Sequence, residues 1–311
     1  MTRVLILTDG KAGHENQSKA FVRSLGLQYD LLPVRFKSKF HKALSYILDH
    51  LGVRTMSLWT TADGEAVDPN AMDYAAVVGT GSGTFYPAKS LARRLGVRCG
   101  VVLYPRGYDV KSFDCILAPE FDNPMSAPNI VKIPANLVAN DGEFYEKGVA
   151  DFRSRHEPSD RPAFAVVIGG PNACSTMSVP WIKAKLDSIF EDSKVCEHWV
   201  TTSRRTPPEV EALVDSYPWD YKLIYSKDHF NPIPAFVMLA RRLYVTAEST
   251  GMLSEACTCG SAEVYALDNL NPGPHKFRRF LENLAAGGYV EGNRKVDLSP
   301  QIAEARRLLG I

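Results

Sequence analysis

Apolar runs followed by glycine-containing loops and helical patterns recur along the chain. The runs Val4–Leu7, Tyr74–Val78, Ala163–Ile168 and Leu243–Val245 each precede such a loop. Continuous apolar runs of this length are typical of parallel strands that are covered on both faces. Because predicted helices alternate with these runs, the sequence predicts an α/β protein with parallel sheets. The helices that follow the first two loops are predicted at residues 16–25 and 86–95.

The second half continues the alternation. Strands are predicted at 198–202, 221–225 and 262–267, and helices at 234–243 and 277–286. The segment Thr206-Pro-Pro-Glu209 has the spacing of a capping box, with proline at the first helical position. It therefore predicts one more helix, capped by the Thr206 side chain.

The pattern lapses once, between Asn136 and Arg161. That stretch ends in the polar run His156–Pro162, which contains two prolines and is typical of a linker. The chain of 311 residues is long enough for two domains. The sequence therefore predicts an N-terminal domain at 1–150 and a C-terminal domain at 162–298.

Composition excludes several function classes. With a net charge of +1, the chain has no basic footprint, so we expect no nucleic-acid partner. No apolar stretch reaches the ~18 residues of a membrane span, and the first apolar run is too short for a signal peptide. The six cysteines lack the spacing of a metal site. We therefore expect reduced thiols, no bound metal and a cytoplasmic location.

The segment Leu243–Gly260 carries the clearest chemical signal. It predicts a buried strand, a Ser/Thr/Gly turn and a helix that Ser249 or Thr250 would cap. Free backbone N–H groups at a helix N-terminus attract anions such as phosphate. Glu255 lies farther along the helix, where its carboxylate could bind a ribose diol. The alternative is an ordinary strand–helix unit with an exposed glutamate.

Four segments together resemble one protein family. They are Asp9–Gln17, Gly79–Gly83, Pro119–Asp122 and Thr246–Glu255, and they look like the "elongated mitochondria" fission family. That family includes a plant fission factor and many bacterial proteins regarded as glycosyltransferases, and the resemblance covers nearly the whole chain. Parts of these segments are more distantly similar to the enzyme that adds N-acetylglucosamine to the peptidoglycan lipid precursor.

The resemblance implies a GT-B-like architecture. Two Rossmann-like domains would face each other across an interdomain cleft, the first on the acceptor side and the second holding the nucleotide-sugar donor. A final helix, 299–311, would pack back on the N-terminal domain. No metal or cofactor is expected, since the nucleotide sugar is a substrate.

By resemblance, the donor site can be assigned residue by residue. Glu255 matches the ribose-binding glutamate of the motif. The remaining expected donor-binding residues lie in the turn after the fourth apolar run or in two other loops of the C-terminal domain: Ser249, Thr250, Met252, Ser254, Gly169, Gly170, Ser203 and Arg204. Either Arg204 or its neighbour Arg205 would offer a bidentate guanidinium to a phosphate.

The acceptor side is assigned in the same way. His14 matches the histidine of the first glycine loop, a candidate general base, with Asp9 and Glu15 as rival bases. The acceptor-side glycines are Gly13, Gly79, Gly81 and Gly83. The segment Asp9-Gly-Lys-Ala departs from the nearly all-glycine turn of the peptidoglycan enzyme, which leaves the acceptor chemistry open.

These assignments predict a glycosyltransferase that moves a sugar from a nucleotide-sugar donor to an unidentified acceptor, with a lipid- or envelope-linked acceptor as one option. The alternative is a non-catalytic GT-B scaffold that binds protein partners, as the fission role of the plant relatives suggests. A sugar-nucleotide epimerase or dehydrogenase is disfavoured, because the first loop lacks the Gly-x-Gly-x-x-Gly pattern.

A basic amphipathic segment at Arg35–Leu51 has two interpretations. Apolar residues recur at helical spacing, and the segment begins with several cations. Such a helix can lie on an anionic membrane, which would make the protein peripherally membrane-associated. The favoured interpretation is a helix that packs its apolar side against the core.

Overall fold

The computed structural model describes residues 3–64 and 73–311. The chain forms two compact units. Unit 1 comprises Met1–Ile133, Leu137–Ala139 and Asp297–Ile311, and unit 2 comprises Pro134–Asn136 and Asn140–Val296. Each unit has its own sheet and its own hydrophobic core.

Unit 1 alternates strands and helices along its first part. Its elements in chain order are β1 (Arg3–Thr8), α1 (Ala12–Ser24), β2 (Gln28–Phe36), α2 (Lys39–His50), β3 (Trp59–Thr61), β4 (Ala76–Thr80), α3 (Phe85–Leu95), β5 (Arg98–Val102), β6 (Cys115–Pro119) and β7 (Ile130–Ile133). The sheet order is β3-β2-β1-β4-β5-β6-β7. All of these neighbours pair in parallel except β3, which is antiparallel to β2.

Unit 2 repeats the same design on a smaller scale. Its elements are α4 (Gly142–Arg153), β8 (Ala163–Val167), α5 (Val179–Asp192), β9 (Glu197–Thr201), α6 (Pro208–Asp215), β10 (Tyr221–Leu223), α7 (Ile233–Leu239), β11 (Arg242–Thr246), α8 (Thr250–Thr258), β12 (Glu263–Leu267) and α9 (Lys276–Ala286). The sheet is parallel, in the order β10-β9-β8-β11-β12. Counted within this sheet, the order is 3-2-1-4-5, which is the Rossmann order without its sixth strand.

The last helix, α10 (Ser299–Leu309), belongs to unit 1. It covers β5, β6 and β7, and Arg306 donates to the carbonyl oxygen of Leu25 at the end of α1 over 2.7 Å. Leu309 packs so tightly on β5 that a Cβ placed on Gly100 would lie 3.2 Å from its Cδ2. A glycine at position 100 therefore lets α10 approach the sheet.

The parallel α/β class predicted from the sequence is confirmed. Three local predictions differ. α1 begins at Ala12 rather than Asn16, so His14 lies in a helical turn and not in a loop. α7 ends at Leu239, because residues 242–246 extend as β11. The capping box at Thr206 is absent, because that hydroxyl bonds to the loop after β8 instead.

The boundary between the units differs from the sequence-based ranges. The sequence assigned residues up to 150 to the first domain, whereas α4 belongs to unit 2. The reason is the packing of α4 on α7, where Gly148 meets the ring of Pro234: a Cβ at position 148 would lie 3.2 Å from the Pro234 Cγ. Glycine at 148 permits that contact, which the chain pattern alone does not reveal.

Candidate functional site

The strand order gives each sheet one topological switch point. A switch point lies between two neighbouring strands whose following connections run to opposite sides of the sheet. In unit 1 these strands are β1 and β4, and in unit 2 they are β8 and β11. Ligands of open α/β sheets bind at the carboxyl ends of the strands at such points. The loops that follow these four strands contain most of the residues singled out in the sequence.

At the unit 1 switch point, His14 is paired with Asp9. The Nδ1 atom of His14 lies 3.1 Å from each carboxylate oxygen of Asp9. Asp9 follows β1 and its side chain is 11% exposed, while the His14 ring is 25% exposed. A carboxylate at Nδ1 fixes the tautomer in which Nε2 of a neutral imidazole carries the lone pair. The pair is therefore built like a general base and the residue that orients it.

The glycine loop after β4 packs directly on this pair. A Cβ on Gly81 would collide with the His14 ring, and one on Gly83 would lie 2.7 Å from Cβ of Asp9. Gly81 also has a φ of +85°, which disfavours other residues. Gly79 serves a different contact, since its Cβ would lie 2.7 Å from the Thr84 hydroxyl. Gly13 lies in the exposed first turn of α1, with open space around it.

Glu15, a rival base, is already engaged. Its carboxylate forms an ion pair with Lys19 at 2.6 Å and accepts a hydrogen bond from the Thr8 hydroxyl at 3.0 Å. The ion pair with Lys19 and then the Thr8 hydroxyl hold the pKa of Glu15 below its usual value. A weakly basic carboxylate is a poorer proton acceptor than the Asp9–His14 pair.

A cation from α2 reaches the same loop. The Nζ atom of Lys42 donates to the Ser82 hydroxyl over 2.9 Å. Ser82 lies between the two glycines that pack on His14 and Asp9. Lys42 is therefore a positive charge beside the unit 1 site, and the sequence analysis did not identify it.

At the unit 2 switch point, the turn after β11 leaves the start of α8 uncapped. Ser249 occupies the N-cap position, but its side chain makes no bond to the helix. The predicted cap is therefore absent, and Ser249, Thr250 and Met252 remain partly exposed. Backbone N–H groups at such a helix start are free to receive an anion.

A buried carboxylate, Glu248, organises the loops around this turn. Its Oε1 accepts from the Gly170 N–H at 2.8 Å and from the Thr246 hydroxyl at 3.1 Å, and its Oε2 accepts from the Asn269 amide at 2.8 Å. The Gly169 N–H donates to the Thr246 hydroxyl oxygen over 2.9 Å. The two glycine N–H groups are thus occupied by protein, although both glycines were expected to contact the donor.

Close packing explains both glycines. A Cβ on Gly169 would collide with Oε1 of Glu248, and one on Gly170 would collide with the backbone of Arg205. Thr206 adds hydrogen bonds from its hydroxyl to the carbonyl oxygens of residues 168 and 169, and it accepts from the Ser203 N–H at 2.8 Å. The loops after β8 and β9 are therefore tied together.

The two neighbouring arginines differ. Arg205 donates to the Gly170 carbonyl oxygen over 3.2 Å, and its other terminal nitrogen lies 3.9 Å from Glu248. Arg204 is exposed and makes no hydrogen bond or ion pair with the described residues. Arg205 is thus the guanidinium held beside the start of α8, and nothing in the sequence alone separated it from Arg204.

Glu255 on α8 is held by a tyrosine. Its Oε1 accepts from the Tyr145 hydroxyl at 2.7 Å and from the Asn140 amide at 3.3 Å. Burial first, and then the charge of Glu255, raises the pKa of Tyr145, so the phenol keeps its proton and donates. One oxygen, Oε2, is left for other partners. Ser254 is buried and bonds to the Asn136 N–H and the Thr250 carbonyl oxygen, so its hydroxyl is used within the protein.

Several of these groups were not identified from the sequence: Lys42, Tyr145, Glu248 and Asn269. Glu248 had a readable signal, because a carboxylate directly after a buried strand is costly unless it is satisfied by partners. Lys42, Tyr145 and Asn269 had none, because their partners lie far away in the chain. The residues that the sequence did identify cluster at the two switch points.

Two Rossmann-like units, each with candidate binding groups at its switch point, define a protein of the GT-B fold class. The chain belongs to the family described as "Mitochondrial fission ELM1", whose model matches residues 12–307. The resemblance inferred from the four sequence segments is thereby confirmed.

Solved structures support the fold. The UDP-GlcNAc 2-epimerase from Neisseria meningitidis bound to UDP-GlcNAc has a TM-score of 0.52 at 12% identity, covering 99% of this chain and 91% of that one. A protein described as a UDP-N-acetylglucosamine 2-epimerase, from Listeria monocytogenes, has a TM-score of 0.53 at 12% identity, with 99% and 88% covered. At such identities the likeness shows the fold alone.

No curated protein matches the chain. Across residues 3–64 and 73–311, none of the helices combines the length and the hydropathy that crossing a membrane would require.

Proposed function

We propose that the protein is a metal-independent glycosyltransferase that takes its sugar from a nucleotide-sugar donor. The observation that carries this proposal is the start of α8 in unit 2: an uncapped helix N-terminus at a switch point, with Arg205 beside it and Glu255 on the same helix. Open N–H groups and a guanidinium suit a diphosphate, which must be stabilised as it departs.

In the proposed donor site, phosphate oxygens bind the first turn of α8, at Ser249, Thr250 and Met252, and Arg205. Glu255 accepts hydrogen bonds from the ribose hydroxyls through Oε2, while Tyr145 occupies Oε1 and fixes the carboxylate. Glu248 does not touch the donor. It holds the Gly169–Gly170 loop, so that the surrounding backbone is already ordered when the nucleotide arrives.

In the proposed acceptor site, His14 removes the proton from the attacking hydroxyl through Nε2. Asp9 orients the ring and stabilises the imidazolium that forms, because its carboxylate remains at Nδ1. Lys42 and Lys11 add positive charge near this pair: Nζ of Lys11 lies 3.7 Å from Asp9. The oxygen of the acceptor then bonds to the anomeric carbon as the nucleoside diphosphate leaves.

Two other functions remain as alternatives. The absence of a Gly-x-Gly-x-x-Gly loop argued against an epimerase, but the solved structures of like fold include 2-epimerases, so that criterion does not apply to this fold. A non-catalytic scaffold is the other alternative, in keeping with the family description. The Asp9–His14 pair favours chemistry, since a partner-binding scaffold has no need of an oriented imidazole.

A panel of nucleotide sugars tests the proposal. Isothermal titration calorimetry of the wild type and of Glu255→Ala should identify a donor that the variant binds more weakly. Incubation of that donor alone, analysed by mass spectrometry and NMR, separates the three functions. A transferase leaves the donor sugar configuration intact or hydrolyses it slowly, an epimerase changes the configuration, and a scaffold binds no member of the panel.

A further inference from the structure

The helix α2 buries two polar side chains and leaves three large apolar side chains exposed on its outer face. Its only fully buried side chains are Ser45 and Asp49. Phe40, Ile47 and Leu51 are 71%, 61% and 69% exposed. These three positions fall within about 40° of one another around a helix, so they form one stripe. A surface helix of a globular protein normally turns large apolar side chains of this kind toward the core.

The buried polar side of α2 is fully satisfied. Asp49 accepts two hydrogen bonds from Lys89 at 2.9 Å each and one from the Asp109 N–H at 2.7 Å. Ser45 bonds to Tyr108 at 3.0 Å. Leu44, Tyr46 and Leu48 pack on the core at the edges of this contact. Folding of unit 1 therefore uses these residues and leaves the outer stripe uncovered.

The outer stripe is concentrated, which isolated surface apolar residues are not. Nine large hydrophobic side chains are exposed in the described residues, and four of them lie between positions 40 and 53: Phe40, Ile47, Leu51 and Val53. Single exposed apolar residues need no explanation, whereas a contiguous stripe indicates an interaction surface. The core-packed interpretation favoured from the sequence holds for Leu44 and Leu48, which pack on the core, and is wrong for Phe40, Ile47 and Leu51.

Exposed cations lie just before the stripe in the chain. Arg35, Lys37 and Lys39 are exposed and form no ion pair with the described residues. Between residues 35 and 54 the one carboxylate is Asp49, which is buried and paired with Lys89 and Arg54. The surface thus offers apolar side chains and uncompensated positive charge together.

We propose that the outer face of α2 docks on an anionic lipid bilayer. A bilayer matches both properties, because its interior accepts the apolar side chains and its headgroups neutralise the cations. A second copy of this chain fits less well. A stripe of three side chains offers far less than the roughly 800 Å² per partner that a stable dimer buries, and like charges would meet across the contact.

The docking face is part of the helix that reaches the candidate acceptor site. Lys42 lies on α2 and bonds to Ser82 in the glycine loop that packs on His14. A bilayer bound to α2 would therefore lie beside that loop. This extension, which rests on the proposed function, indicates that the acceptor is carried by the membrane and reaches His14 from its surface.

Vesicle co-sedimentation tests the docking. The probes are phosphatidylcholine vesicles and phosphatidylcholine vesicles with about 30% phosphatidylglycerol, at low and at high salt. Wild-type protein should bind the anionic vesicles at low salt, and Ile47→Ser/Leu51→Ser should reduce the partition coefficient by about tenfold or more. Lys37→Glu/Lys39→Glu should reduce it similarly and remove the salt dependence.

Matched controls lie in unit 2. Val195 is 77% exposed and its neighbour Lys194 is also exposed, so Lys194→Glu/Val195→Ser changes the same kinds of residue elsewhere. This variant should bind vesicles as the wild type does. Circular dichroism of every variant establishes that the fold is intact, which is expected because all the altered side chains point outward.

Three results would overturn the docking proposal: no binding of the wild type to anionic vesicles, equal loss in the unit 2 control, or a wild-type dimer that Ile47→Ser/Leu51→Ser converts to a monomer in sedimentation velocity. Donor binding is measured separately by calorimetry without vesicles. Vesicle binding without donor binding would contradict the proposed transferase and leave the docking face standing.

Discussion

Nδ1 of His14 lies within hydrogen-bonding distance of both carboxylate oxygens of Asp9, in a turn sealed by a glycine loop. If this pair is the general base, His14→Ala should lower turnover by about 10²–10⁴-fold. Donor affinity should stay nearly unchanged, because the donor is assigned to unit 2. Steady-state kinetics and calorimetry on the same preparations measure both quantities. Full activity in His14→Ala would transfer the role to Asp9 or Glu15.

The packing of the glycine loop predicts a second effect. Gly81→Ala would push a methyl group into the His14 ring, so turnover should fall by about 10²-fold as the ring is displaced. Gly26→Ala is the matched control, because Gly26 has a similar φ of +69° but open space around it. Both variants should lose about 1 kcal/mol of stability from backbone strain. Equal turnover in the two variants would contradict the contact.

The proposed ribose contact predicts a graded pair of donor affinities. Glu255→Ala should weaken nucleotide binding by about 1.5–3 kcal/mol, the contribution of a charged hydrogen bond. Tyr145→Phe should weaken it less, since it only releases Oε1 of a carboxylate that remains in place. Calorimetry at one pH provides both values. A larger loss in Tyr145→Phe than in Glu255→Ala would contradict the ribose assignment.

Glu248 should contribute to the stability of unit 2 and should not contact the donor directly. Glu248→Ala leaves the Gly170 N–H, the Thr246 hydroxyl and the Asn269 amide without their acceptor. At about 1–3 kcal/mol for each of these three unsatisfied buried groups, we expect a loss of at least about 3 kcal/mol in the free energy of unfolding. Urea titration followed by tryptophan fluorescence is suited to this, since Trp181, Trp199 and Trp219 lie in unit 2. Glu157→Ala, at an exposed position, should change nothing.

Mutations on the two sides of α2 should have different effects on the free energy of unfolding. Lys89→Met removes both hydrogen bonds to Asp49 and leaves that buried carboxylate poorly compensated, so we expect a loss of about 3–5 kcal/mol. Ile47→Ser should change the free energy of unfolding by less than about 0.5 kcal/mol, because the side chain is exposed. Urea denaturation followed by circular dichroism compares them. A large loss in Ile47→Ser would mean that the stripe serves the fold.

Most of the fold could be predicted from the sequence, because buried parallel strands appear as continuous apolar runs. A strand covered on both faces is apolar throughout, as Val4–Leu7 and Ala163–Ile168 are, and their short length and the glycine loops that follow them favour a strand over a buried helix segment. The helix α1 was less readable at its start. Ala12 and Gly13 carry no capping signal, so no local pattern indicated that the helix begins ahead of His14.

The sequence indicated which loops form the candidate site, but it did not indicate which residues in those loops contact one another. A glycine after a strand indicates that another group lies close to the backbone there, but it does not identify that group. At Gly169 and Gly170 the neighbours are Glu248 and the backbone of Arg205. Tyr145 and Glu255 are 110 positions apart. Such pairings depend on the tertiary fold, which no local pattern encodes.

Because α10 belongs to unit 1, the two units can complete their folding at different times during synthesis. Unit 2 is built almost entirely from one continuous stretch, whereas unit 1 takes its last helix from residues made after unit 2. On the ribosome, the segment 140–296 can therefore close its core while the β5 surface around Gly100 still waits for Leu309. The half that carries His14 is completed only after residues 297–311 have followed unit 2 out of the ribosome, so the nascent chain can close its proposed donor half before its proposed catalytic half.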